Sequence, residues 1–268
     1  MNENKLFLTN VLYAEGIPAD SPILLNFCGT IITTLSELGS LTTAHIVYLT
    51  GDLKNQIYVG LDCQIHIIKD FSTNYETTLG SSNVKLIEKG QVPLNYHNVG
   101  VFFPKFFGNE AFFEKIQAEH EFQNLTESTK DSFALRKGIY LTNVERNENT
   151  GDLLFHLLRC SSNLCGPTDN FRETDKTVVN MVNEMLPKFF NQQVQVNHVL
   201  AQIYYNVKKE DSAKEKKASI KAHSDKTKDM PLNGVIAFAT FYDSSSIVDK
   251  EHLSAKNNYD VVYKGKKS

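Results

Sequence analysis

Two β-prone apolar runs, Val199–Tyr205 and Gly234–Tyr242, bracket a polar segment and constrain the second half of this chain more than any other feature. Both predict strands, because β-branched and aromatic residues pack well on a pleated surface. Between them lie a charged insert, Lys208–Lys217, and then His223-Ser224-Asp225. In an extended segment residues i and i+2 point to the same face, so the His223 imidazole and the Asp225 carboxylate can converge on one point. Such a pair supplies two of the three protein ligands of a 2-His-1-carboxylate facial site for non-heme Fe(II).

The context gives this short motif its weight, since H-x-D alone is ordinary loop chemistry. The preceding strand carries Gln202 and Tyr204, two residues apart and on one face, while Tyr205 points the other way and predicts packing. The insert holds five lysines against Glu210, Asp211 and Glu215, which predicts a solvated loop. Its sharper reading is a basic lip for an anionic substrate, helped by Lys221, Lys226 and Lys228.

This arrangement resembles the core of the 2-oxoglutarate- and Fe(II)-dependent oxygenases, and within them the AlkB-like members. In that family a strand bearing Asn-x-Tyr precedes the H-x-D, and Gln202 stands here where Asn is usual. The resemblance extends more loosely over Val99–Gln123 and Arg136–Val144. It implies an α+β, mainly β architecture: a partial double-stranded β-helix, or jelly roll, with supporting helices. It also implies Fe(II) and 2-oxoglutarate as cofactors, His223 and Asp225 as metal ligands, and Gln202 and Tyr204 against a carboxylate of 2-oxoglutarate. The substrate would be macromolecular, either a methylated nucleic acid or a protein side chain. The family also needs a distal His and a basic residue beyond it. After Asp225 the only histidine is His252, in a polar stretch that predicts a loop, so the chain reads as ending before the distal His. A non-catalytic binding module that keeps the fold is the alternative.

Upstream, the chain predicts a β-rich accessory unit over residues 1–90 and an oxygenase-like core over 91–268. Ala44–Leu49 and Gln56–Leu61, with Gly51-Asp52 between them, predict a hairpin; Gln64–Ile68 and Val84–Ile87 predict further strands. Ile23–Leu38 is open between strand and helix, with Thr30–Thr34 favouring strand. Helical spacing predicts one helix from Asn109 to about Asn124, with Phe112, Phe113 and Ile116 on one face, and another over Thr174–Phe190. Cys160–Cys165 near His156 has no second ligand pair of zinc spacing. The 268 residues carry a net charge of −3 and 41% apolar content, which singles out no nucleic-acid or membrane partner. No apolar run is long enough to cross a bilayer, and Met1–Lys5 lacks a signal-peptide start. Cys28, Cys63, Cys160 and Cys165 have no framework spacing, which predicts reduced thiols and a cytoplasmic or nuclear setting.

Overall fold

The computed structural model describes residues 6, 9–40, 45–54, 63–108, 110–127, 130–155, 168–190, 195–205, 207–208, 215–216, 218, 234–243, 247–248 and 262–263. Strands outnumber helices, and no closed barrel forms among the described residues. Two compact units share the chain. The first comprises Met1–Glu110, Glu184–Gln193 and Ser245–Ser268; the second comprises Ala111–Asn183 and Val194–Ser244.

The first unit is built on strands β1 (Val11–Tyr13), β2 (Thr30–Ile32), β3 (Ile46–Asp52), β4 (Gln64–Thr73) and β5 (Val84–Ile87). They lie in the order β2-β1-β3-β4-β5, and every pairing is parallel. A parallel sheet is covered on both faces, and its central strand β3 is accordingly apolar and buried in succession from Ile46 to Leu49 rather than alternating. In β3, Ile46 and Tyr48 enter one core with Leu12 and Phe27, while Val47 and Leu49 enter another with Val11 and Ile67. Helix α1 (Pro22–Asn26) follows β1; Ser21 accepts the Ile23 N–H at 3.3 Å and Pro22 opens the first turn. Gly29 then leads into β2 where nothing larger fits, since a Cβ there would stand 2.1 Å from the Asn10 carbonyl oxygen. Strands β6 (Leu94–Tyr96) and β7 (Gly100–Phe102) form a hairpin in the same unit. From further along the chain, Phe189 packs on Phe103 and Phe190 bridges to Leu6.

The second unit begins with α2 (Phe112–Glu119), β8 (Gln123–Glu127) and β9 (Lys130–Thr142). The hairpin β10 (Val144–Arg146) with β11 (Leu153–Phe155), the short β12 (Asp169–Asn170), α3 (Glu173–Met185) and β13 (His198–Tyr204) follow. β9 is the spine of its sheet. β13 runs antiparallel along one edge, and β8 and β12 share the other. Ile139 and Leu141 of β9 face a core with Phe171 and Val179, joined by Val199 and Ala201 of β13.

Three expectations need correction. The hairpin from Ala44–Leu49 does not form, because β1 and β4 already occupy both edges of β3; residues 55–62 lie outside the described set. The helix predicted from Asn109 to Asn124 is only Phe112–Glu119. At His120 the backbone turns extended (φ −131°, ψ 148°), and Gln123–Glu127 pairs with β9 instead. The strand predicted over Gly234–Tyr242 has no ladder partner among the described residues, and Ile236, Phe238 and Tyr242 stand exposed. A run with strand propensity becomes a strand only when a neighbour takes its N–H and C=O groups.

Candidate functional site

The register of β13 on β9 decides what one face of the second sheet offers. Residues directly opposite in an antiparallel pair share a face, with Cβ atoms roughly 4.5–5.5 Å apart. The pairs His198–Thr142, Leu200–Tyr140, Gln202–Gly138 and Tyr204–Arg136 therefore line one face. Val199–Leu141 and Ala201–Ile139 line the other and make the core. The first face is the open one: Leu200 and Tyr204 are nearly half exposed, and the Tyr140 and His198 rings stack at 5.3 Å. Gly138 puts no side chain beside Gln202, and Gln123 of β8 stands across from it on the other edge.

Gln202 and Tyr204 lie where the sequence predicts, on a strand and facing the same way. The Tyr204 hydroxyl donates to Gln202 Oε1 at 2.6 Å. This contact orients both side chains and leaves the two Gln202 Nε2 hydrogens available as donors. The set fits a carboxylate, which only accepts. Turning the Tyr204 O–H from a neutral amide oxygen to a charged one would exchange an ordinary hydrogen bond for a charge-assisted one. His223 and Asp225 lie outside the described residues, as do His156 and Cys160–Cys165.

Sequence reasoning did not find a second polar cluster in this unit. Glu119, His120 and Asp175 bring donor atoms within 4.8 Å of one another, a combination able to take a metal ion. The His120 side chain is fully buried; its Nε2 meets Asp175 Oδ2 at 2.6 Å and its Nδ1 meets Asp169 Oδ2 at 3.2 Å. The ring thus bridges the carboxylates of Asp169 and Asp175. The same carboxylates also start helix α3. Asp175 accepts the Arg172 N–H at 2.8 Å, and Glu119 accepts the Thr174 hydroxyl at 2.7 Å and the Thr174 N–H at 3.3 Å. These are N–H groups that a helix cannot satisfy from within. Burial pushes the Asp169 carboxyl up, but the Asn170 N–H, the His120 ring and the Arg172 guanidinium together outweigh it and hold it below its usual range. Every donor and acceptor named has a structural task, so the cluster is read as a clamp that joins the end of α2 to the start of α3. Its members sit about fifty residues apart, and no local pattern announces them.

No family model, no curated protein and no solved structure matches this chain. No helix among the described residues is long and apolar enough to cross a membrane.

Proposed function

We propose that this chain is an AlkB-like oxygenase that depends on Fe(II) and 2-oxoglutarate, and that hydroxylates or oxidatively demethylates a macromolecular substrate. In this reading the second unit belongs to a double-stranded β-helix, and His223 and Asp225 bind the metal. The observation that carries it is the Tyr204–Gln202 pair: a hydroxyl and an amide, mutually oriented on the open face of β13, on the strand that leads into the H-x-D. When bound, iron and 2-oxoglutarate would supply the oxidative chemistry, as cofactors do in such enzymes. The chain's own share is positional. His223 and Asp225 would hold the metal from one face, Gln202 Nε2 and Tyr204 Oη would donate to a carboxylate, and the lysine-rich segment before the H-x-D would attract an anionic substrate. Substrate choice stands open between a methylated nucleic acid and a protein side chain. The buried, unbridged Cys28 accords with a reducing compartment, cytoplasm or nucleus.

The test is metal affinity in wild type, His223→Ala and Asp225→Ala, titrated with Mn(II) as a redox-stable stand-in. The reading expects a large loss in both variants with no change in thermal stability. Equal affinity in all three would remove the metal site. Succinate release from 2-oxoglutarate then separates an active enzyme from a binding module that retains only the fold.

A further inference from the structure

We infer that Arg136 is the cation of a small-dicarboxylate site on the open face of β9 and β13, with Gln202 and Tyr204 as its hydrogen-bonding partners. This inference rests on the oxygenase reading for the identity of the ligand, 2-oxoglutarate. The geometry stands without it.

Arg136 is directly opposite Tyr204, so it shares the face of Tyr204 and Gln202 and turns away from the core side of Ile139 and Leu141. The position diagonal to it, opposite Gln202, is Gly138, which leaves the strip between the guanidinium and the amide free of a β9 side chain. Two residues along a strand span ~7 Å, so the cation and the Gln202 amide address two points of one small molecule. The arginines of this unit differ in what they hold. Arg172 reaches both Asp169 oxygens at 3.1 and 3.2 Å, and Arg146 donates to the Gly151 carbonyl at 2.7 Å. Arg136, half-buried, has no side-chain hydrogen bond or ion pair among the described residues. A planar guanidinium with five fixed donors matches a carboxylate bidentately, which a lysine ammonium does not. The acceptors and donors are thus divided. Arg136 supplies the charge for one carboxylate, and Gln202 Nε2 and Tyr204 Oη supply neutral donors for the other end.

This differs from the arrangement in the family the sequence resembles, where the basic residue follows the distal histidine. Here it would come from β9, the neighbour of the strand that leads into the H-x-D, and be placed by cross-strand register alone.

The experiment is a calorimetric titration of the full chain, in chelator and without metal, with 2-oxoglutarate and with pyruvate, which lacks the second carboxylate. Arg136→Gln should weaken 2-oxoglutarate by about tenfold or more, as expected for losing a hydrogen-bonded charge, and should erase its preference over pyruvate. Arg136→Lys should recover part of that preference. Lys137→Gln, one residue away on the opposite face, should bind as wild type does. Absence of saturable 2-oxoglutarate binding by the wild type, or equal affinity in wild type and Arg136→Gln, would overturn the inference. Its failure is separable from failure of the oxygenase reading: loss of the dicarboxylate effect with metal binding at His223 and Asp225 intact sinks only the role of Arg136. The converse pattern, an intact Arg136 effect with no metal bound, sinks only the oxygenase.

Discussion

The two larger sheets among the described residues are made from similar residues and differ in coverage. In the parallel sheet of the first unit both faces are filled, so Ile46, Val47, Tyr48 and Leu49 are all buried in succession. In the second unit only alternate residues of β13 go inward, and Leu200 and Tyr204 on its other face stand nearly half exposed. A strand buried on both faces has no side chain to spare for chemistry, whereas a half-covered strand carries function on every second residue. The polar groups the first sheet buries are of two kinds. Thr50 and Ser72 donate to main-chain carbonyls. The Tyr48 hydroxyl and His66 Nε2 find no hydrogen-bond partner among the described residues, although their rings meet edge-on at 5.3 Å.

Four measurements would break or sharpen this contrast. Ile67→Ala, in the fully filled first unit, should cost ~4 kcal/mol in urea denaturation, the sum of lost burial and an unfilled cavity. A loss below ~1 kcal/mol would mean that this sheet is not packed on both faces.

Acid should act next on the same sheet through His66. Burial, with Lys85 and Lys188 adding to it, lowers this imidazole from its ordinary 6.5 to about 4. Between those values the unfolded chain binds the proton and the folded chain does not, so stability rises with pH through that window. It is fully present above 6.5 and falls away toward pH 4, by as much as ~3 kcal/mol. His66→Gln should flatten the denaturation midpoint across pH 4–6.5, and an unchanged slope would remove His66 as its source.

In the second unit, Asp175→Ala strips the His120 ring and the Arg172 N–H of their shared acceptor and should cost ~2 kcal/mol in thermal unfolding. The same variant should leave affinity for added Mn(II) unchanged if the cluster is a clamp, and lower it if the cluster holds an ion. Leu200→Ala, on the open face, should cost less than ~0.5 kcal/mol, because its side chain is already nearly half in water.

The local content of both sheets is legible in the sequence. Gln64–Ile68, Val84–Ile87 and Val199–Tyr205 each lie within or overlap an observed strand, because β-branched and aromatic runs act locally. The helix at Thr174–Phe190 ends at Met185 and continues as one 3₁₀ turn, with Pro187 unable to donate an N–H within it. Partner choice is not local. Nothing in Ile46–Leu49 says that its neighbours run parallel. The polar Gln123–Glu127 is a strand only because β9 offers it an edge, and Gly234–Tyr242 is none because no described edge takes it. The site shows the same division. Gln202 and Tyr204 follow from a period of two, but Arg136 joins them through a register fixed sixty-odd residues away, and the His120 clamp through contacts just as remote.

The first unit takes Glu184–Gln193 from late in the chain, and this bears on the order in which the protein can be made. As synthesis proceeds from the N-terminus, all five strands of the parallel sheet emerge before the segment that supplies the Phe189 ring to Phe103 and the Phe190 bridge to Leu6. Until then Asn10 also lacks the Lys188 carbonyl that its amide donates to at 3.2 Å. The nascent sheet therefore waits, with part of its apolar surface uncovered, while most of the second unit is translated. Chaperone demand should be greatest in that interval, and a stop codon placed between Glu110 and Glu184 should yield an aggregating product rather than an autonomous N-terminal domain.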